Sequence, residues 1–253
     1  MRHPKKIASI LLAAALVAGA VAFVELRQQQ RVCQRLVVAV QADGAPFITP
    51  DDVRLLVTQQ QTTPLEGVRL GDIDLKMLEK NVASNRYVQQ VNAYHDLAGT
   101  VVVQAQQNRP MARIVAPARQ GGDAYLGADG RLLPLSDRQS ARVVLLSGDY
   151  VPALLNDQTK ESDSLRAPVI ALVRYVDQDN FWRAQIAQID IDRQGEVTLY
   201  PQVGKQRIAF GKAEQIEEKF NKLAIFYEQV LPRKGWNHYE YVSLQYQNQI
   251  VCQ

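Results

Sequence analysis

The chain has 253 residues, 47% hydrophobic and 22% charged, a composition that suits one or two folded domains with a real core. Its 29 basic and 26 acidic residues leave a formal charge of +3, too balanced for the basic stripe that nucleic-acid binding needs. Two cysteines, Cys33 and Cys252, cannot form a zinc site alone, the histidines His3, His95 and His238 are scattered, and nothing in the cysteine spacing favours a disulfide.

Residues 7–24 are an uncharged apolar run, at the short end of what crosses a bilayer, preceded by Arg2, Lys5 and Lys6. Positive charge just before a first span holds the N-terminus in the cytoplasm. The expectation is a single transmembrane helix over 7–24 with a cytoplasmic tail, 1–6, before it. A cleaved signal peptide is the open alternative, since Ala18-Gly19-Ala20 and Ala20-Val21-Ala22 offer small residues for cleavage. Residues 25–34 are polar and Gln-rich and read as a juxtamembrane stalk.

A first module spans 35–112. Residues 35–42 are rich in β-branched side chains and read as a strand, closed by the Asp43-Gly44 turn. Thr49-Pro50-Asp51-Asp52 opens a helix: Thr49 caps free N–H groups, Pro50 suits the first helical position, and the two aspartates favour the positive end of the helix dipole. A second helix starts at Gly71-Asp72 and carries Leu75, Leu78 and Val82. Strands over 87–95 and 100–107 follow, turned at Leu97-Ala98-Gly99, and Pro110 is expected to end the pairing because it has no N–H to donate.

The remainder, 113–253, reads as a second module. A hairpin at 125–134 turns at Asp129-Gly130, where glycine tolerates positive φ. A strand at 141–146, a polar loop at 156–166 and a helix from Pro168 towards Trp182 come next. Three strands over 186–192, 196–201 and 206–210 precede an amphipathic helix over 213–231. Residues 238–252 read as one last strand, with Val242, Leu244 and Tyr246 alternating against Ser243, Gln245 and Gln247.

Chemistry is sparse. No G-x-S-x-G, S-x-x-K or H-E-x-x-H motif occurs, and no Gly-rich phosphate loop precedes a helix. His95 beside Asp96 reads as a solvated turn rather than an oriented base. Asp190 to Glu196 is only loosely like a calcium loop and has Pro201 where a bidentate glutamate should stand, so a strand-turn-strand is expected. Phe181-Trp182 and Trp236 are candidate recognition aromatics, with core packing the favoured reading. The last strand is the better functional signal. A terminal strand tends to lie at a sheet edge, and such an edge can accept a strand from a partner. The candidate partner-binding residues are Tyr241, Ser243, Gln245, Tyr246 and Gln247.

The order β-α-α-β-β, with Asn85, Val88, Val91, Arg109, Pro110 and Ile114 in sequence, is similar to POTRA domains. Tyr125, Leu126, Asp129, Gly130, Leu132 and Pro134 form a Y-L-x-x-D-G-x-L-x-P hairpin. Together with residues 208–211 and the terminal strand 241–246, they resemble the FtsQ/DivIB family of bacterial cell-division proteins. Ser243 and Gln245 depart from the Asp and Arg usual there, and 156–166 looks like an insertion. The resemblance implies an α+β fold: a single N-terminal transmembrane helix, a POTRA-like β-α-α-β-β domain (35–112), then a mixed-sheet β-domain with flanking helices (113–253). It implies a non-enzymatic, membrane-anchored divisome scaffold that helps regulate septal peptidoglycan synthesis. Its partners would be FtsB/DivIC-like and FtsL-like coiled-coil division proteins, with other divisome membrane proteins beside them. No catalytic residue, metal or cofactor is implied. Its place would be the inner membrane at the division septum, single-pass, with the C-terminal domain periplasmic. A POTRA-bearing envelope assembly or secretion factor is the alternative.

Overall fold

The computed structural model describes residues 13–19, 31–58, 64–116, 122–156 and 164–253. The chain divides into two compact units, Met1–Gln107 and Asn108–Gln253.

The expected membrane span is corrected first. Of 7–24 the structure describes only 13–19, which is helical (α1); the rest of that run lies outside the described residues. Among the described residues no helix is long and apolar enough to cross a membrane. The transmembrane helix in the expected fold, the membrane anchor in the expected function and partner list, and the single-pass inner-membrane location are therefore not supported.

In the first unit a three-stranded sheet is backed by two helices. The strands are β1 (Arg35–Gln41), β2 (Val88–His95) and β3 (Thr100–Gln107), in the order β1-β3-β2. β1 runs parallel to β3, and β2 antiparallel to it. The helices are α2 (Pro50–Thr58) and α3 (Leu75–Ala83), with a 3-10 turn at Leu70–Asp72 before α3. Val101, Val103 and Ala105 alternate inward along β3 and are buried with Val53 and Val57 of α2 and Leu78 and Val82 of α3. Each helix starts on a side-chain cap. Thr49 Oγ1 accepts from Asp52 N at 3.2 Å, while Asp52 Oδ2 accepts from Thr49 N at 2.9 Å, a reciprocal box. Asp74 Oδ1 accepts from Met77 N at 3.0 Å. Of the segment 25–34, residues 25–30 lie outside the described residues. Residues 31–34 are described. They run extended beside 67–70, with Cys33 N donating to Val68 O at 2.7 Å and Leu70 N to Arg31 O at 2.8 Å.

The second unit is built on a nine-stranded mixed sheet. Its strands are β4 (Pro110–Ile114), β5 (Ala124–Gly127), β6 (Leu132–Leu133), β7 (Val144–Ser147), β8 (Ile186–Ile191), β9 (Glu196–Pro201), β10 (Arg207–Lys212), β11 (Tyr241–Ser243) and β12 (Val251–Cys252). Across the sheet they lie in the order β12-β11-β10-β9-β8-β7-β4-β5-β6. Pro110 begins β4 instead of ending a pairing. A proline is tolerated as the first residue of a strand, and β4 then pairs with β5 and β7.

Helix α4 (Val151–Leu155) was not foreseen. The helix expected from Pro168 is two: α5 (Arg166–Gln178) and α6 (Asn180–Gln185). They separate at Asp179, which is extended and accepts from Phe181 N and Trp182 N to cap α6. The amphipathic helix is also subdivided, into α7 (Ile216–Ile225), a π-helical turn at Phe226–Val230 and α8 (Leu231–Lys234) with Pro232 in its first turn. Phe220 of α7 stacks on Tyr175 of α5, with ring centroids 4.8 Å apart, and meets Trp182 at 4.8 Å and Phe210 at 5.4 Å. These rings join Ile189, Leu199, Ile208 and Val242 of the sheet in one core.

Candidate partner-binding edge

The nine-stranded sheet ends at β12 on one side and at the two-residue β6 on the other. The terminal segment is not one strand. β11 pairs in parallel with β10, Arg207 opposite Tyr241 and Ala209 opposite Ser243, so it is an interior strand. After Leu244, whose N–H still bonds Ala209 O at 3.0 Å, the chain leaves the sheet. Lys222 of α7 donates to Leu244 O at 3.1 Å and to Tyr246 O at 2.9 Å, taking carbonyls that a longer strand would have offered to a neighbour. Asn248 then adopts a left-handed conformation, φ 55°, which asparagine tolerates, and the chain returns as β12.

β12 runs antiparallel to β11, with Val242 opposite Cys252 and Ser243 opposite Val251. Tyr241 and Gln253 exchange both backbone bonds, at 3.1 and 2.9 Å. In an antiparallel ladder successive residues point their backbone groups to opposite sides. Val251 therefore faces inward like Gln253, and the N–H and C=O of Ile250 and Cys252 point away from β11.

Of the five residues singled out in the sequence, the structure brings Tyr241 and Ser243 into β11, where Ser243 is buried and its backbone is directed at β12. Gln245, Tyr246 and Gln247 lie in the exposed connection between β11 and β12. Gln245 Nε2 donates to Glu196 Oε2 at 3.2 Å, and the Tyr246 side chain is half exposed. Ile250, Val251 and Cys252, which form the outer edge, were missed. A left-handed Asn248 without an adjacent glycine is too faint a turn signal to divide a run of alternating residues.

The other candidates resolve locally. His95 closes β2, and Asp96 in the turn after it accepts from Thr100 N at 2.7 Å and Ala98 N at 2.9 Å; these backbone bonds hold its carboxyl below the usual range. Asp192 Oδ1 accepts from Glu196 N at 2.8 Å and Gln194 N at 2.9 Å, organising the β8–β9 turn. No group of three metal-ligating side chains occurs among the described residues. Trp182 is buried, whereas Phe181 and Trp236 are exposed. Both cysteines are free thiols, and burial pushes each thiol pKa up.

Residues 109–253 match the family model described as FtsQ/DivIB, C-terminal related. The chain belongs to this family. Residues 31–106 match the POTRA-like domain model, so the FtsQ/DivIB-type module follows a POTRA-like one. Comparison with curated proteins finds no match for the chain. Both FtsQ/DivIB and POTRA modules are non-catalytic, and the protein is not an enzyme.

Proposed function

We propose that the protein is a cell-division scaffold that binds small coiled-coil division proteins of the FtsB/DivIC and FtsL type by strand addition at the C-terminal edge of its second unit. The observation carrying this reading is the outer side of β12, where the backbone groups of Ile250 and Cys252 point away from the sheet. Such groups give an added strand its affinity, and neighbouring side chains give it specificity. Family membership supports the choice of partner. Tyr241, Ser243, Gln245, Tyr246 and Gln247 take supporting roles: the first two hold β12 in register, and the exposed connection offers side chains beside the added strand.

The test is a pair of proline variants in the full-length chain, assayed by co-purification with the FtsB-type and FtsL-type proteins of the same genome. Cys252→Pro removes an outward N–H and leaves the Tyr241–Gln253 bonds in place, so partner recovery should be lost while the fold survives. Val203→Pro, in the exposed loop between β9 and β10, should bind as wild type. Wild-type recovery by a folded Cys252→Pro protein would sink the strand-addition reading.

A further inference from the structure

The sheet of the first unit has two edges, β1 and β2. The central strand β3 decides which backbone groups each edge presents. Asp96 N donates to Thr100 O at 2.9 Å, so the even-numbered residues of β3 turn their backbone groups to β2 and the odd-numbered ones to β1. In a parallel ladder each residue bonds the two neighbours of the residue opposite it. Val37 stands opposite Val102, between Val101 and Val103, and so bonds β3. Leu36, Val38 and Val40 do not, and their N–H and C=O groups point away from the sheet. Among the described residues none of these groups has a hydrogen-bond partner.

Proteins blunt such edges with bulges, prolines, charges or very short strands. β2 is bulged between Val88 and Gln90, and Glu79 Oε1 of α3 accepts from the outward Ala93 N at 2.8 Å. The edges of the second unit, β6 and β12, have two residues each. β1 has none of these devices. It runs for seven residues in unbroken register, without proline, and carries one charge, Arg35, at its start. The side chains of Leu36, Val38 and Val40, beside the inward Val101, Val103 and Ala105, lie on the helix-backed face yet are only half-buried.

We infer that β1 pairs antiparallel with β1 of a second copy of this chain, joining two three-stranded sheets into one. The strand is complementary to itself. A two-fold axis at Val38 sets Val38 against its own copy and Leu36 against Val40, so all three outward residues exchange backbone bonds and their half-buried side chains cover one another. On the other face Val37 meets Ala39, and Arg35 meets the uncharged Gln41 rather than a second arginine. No like charges are opposed. This contact is separate from the strand addition proposed at β12.

The experiment follows the mass of the full-length protein, 28.4 kDa as a single chain, by sedimentation over a concentration series. The wild type should pass from one chain to two as concentration rises. Val38→Pro removes an outward N–H that β3 does not use, so the circular dichroism spectrum should persist while association is lost. Gln41 tests the register through side chains alone. Gln41→Glu faces Arg35 of the second copy and should tighten association by roughly 2- to 30-fold, and Gln41→Arg should weaken it by a similar factor. Within one chain the two positions are six residues apart on a strand, about 20 Å, so neither change acts through its own Arg35. Val38→Cys should oxidise to a cross-linked pair, because a hydrogen-bonded antiparallel pair stands about 5.5 Å apart at Cα. The wild type, with Cys33 buried and Cys252 partly so, sets the background. A single-chain mass at every concentration overturns the inference, whatever else can pair with β1. So does unchanged association in a folded Val38→Pro protein, or indifference to the sign of the charge at Gln41. The Gln41 variants change an exposed side chain and decide the question even where Val38→Pro fails to fold. Cys252→Pro should associate as wild type; a monomeric Cys252→Pro protein would place the contact at the other sheet and overturn the β1 pairing.

Discussion

Alanine at Gly148 should be among the most damaging single methyl additions in the second unit. Gly148 follows β7 with φ +103°, and an added Cβ would stand 2.2 Å from Ile191 O, 2.7 Å from Ile191 N and 2.8 Å from Ile191 C. All three are backbone atoms at the end of β8, and the same Ile191 carbonyl accepts from Tyr150 N at 3.1 Å. Nothing there yields by rotating a side chain. Gly235 is the matched control, with φ +99° and nothing within 4 Å of its built Cβ. Gly235→Ala pays only the strain of its glycine-type backbone, φ 99° and ψ 146°, about 1–3 kcal/mol. Gly148→Ala adds an overpacking cost of about 1–3 kcal/mol. Both tryptophans, Trp182 and Trp236, lie in the second unit, so their fluorescence follows its melting without interference from the first. With about 2–4 °C per kcal/mol for a domain of this size, Gly148→Ala should melt roughly 2–12 °C below Gly235→Ala. Equal melting temperatures for the two variants would refute the claim that the β7–β8 junction is closed by backbone contact.

Other outcomes follow from the same geometry. Asp177, nearly fully buried, receives the Arg109 guanidinium through two bonds; Asp177→Asn should lower stability to urea by about 2–3 kcal/mol, the lower end for a broken buried pair because Arg109 is one-third exposed. Thr49→Ala should cost the first unit about 1 kcal/mol by removing the α2 cap, read as a lower midpoint by circular dichroism. Burial opposes ionisation of Asp129, but bonds from the Arg131 backbone and side chain and from Asn108 outweigh it and lower its pKa from the usual 3.8. A carboxylate with a depressed folded pKa contributes stability that is present above its unfolded value and is lost as pH falls through the folded one. Acid unfolding below about pH 4 should therefore be less steep in Asp129→Asn than in wild type. Lys222→Met should release the Leu244 and Tyr246 carbonyls and speed amide hydrogen exchange across 244–252, with the β8–β9 pairing unchanged.

Where the sequence could be read depended on whether local chemistry decided the outcome. Thr49, Pro50 and Asp52 start α2 through bonds that close within four residues, and Gly130, φ 80°, turns the β5–β6 hairpin as its Asp-Gly dipeptide predicts. Boundaries set by distant partners were less legible. The break between α5 and α6 depends on Asp179 choosing to cap the second helix rather than continue the first. Pro110 was read as a stop because its missing N–H was weighed alone; its carbonyl side and the residues after it find β5 and β7 far along the chain. The candidate edge was legible as a region but not as a set of atoms. Alternation from Val242 to Gln247 is real in side-chain character, yet the strand ends when Lys222, more than twenty residues earlier, claims the carbonyls of Leu244 and Tyr246.

That division of the terminal segment bears on how a partner could be held. A two-residue edge strand gives an incoming chain few outward backbone groups, and short edges are one way sheets resist indiscriminate pairing. Binding by main-chain bonds to Ile250 and Cys252 alone would be weak and poorly selective, since any extended peptide can make those bonds. Affinity for a particular partner must then come from side chains next to the edge. The connection from Gln245 to Gln249 is exposed and uncharged, so selection there would be made by amide hydrogen bonds and the half-exposed Tyr246 ring rather than by ion pairs.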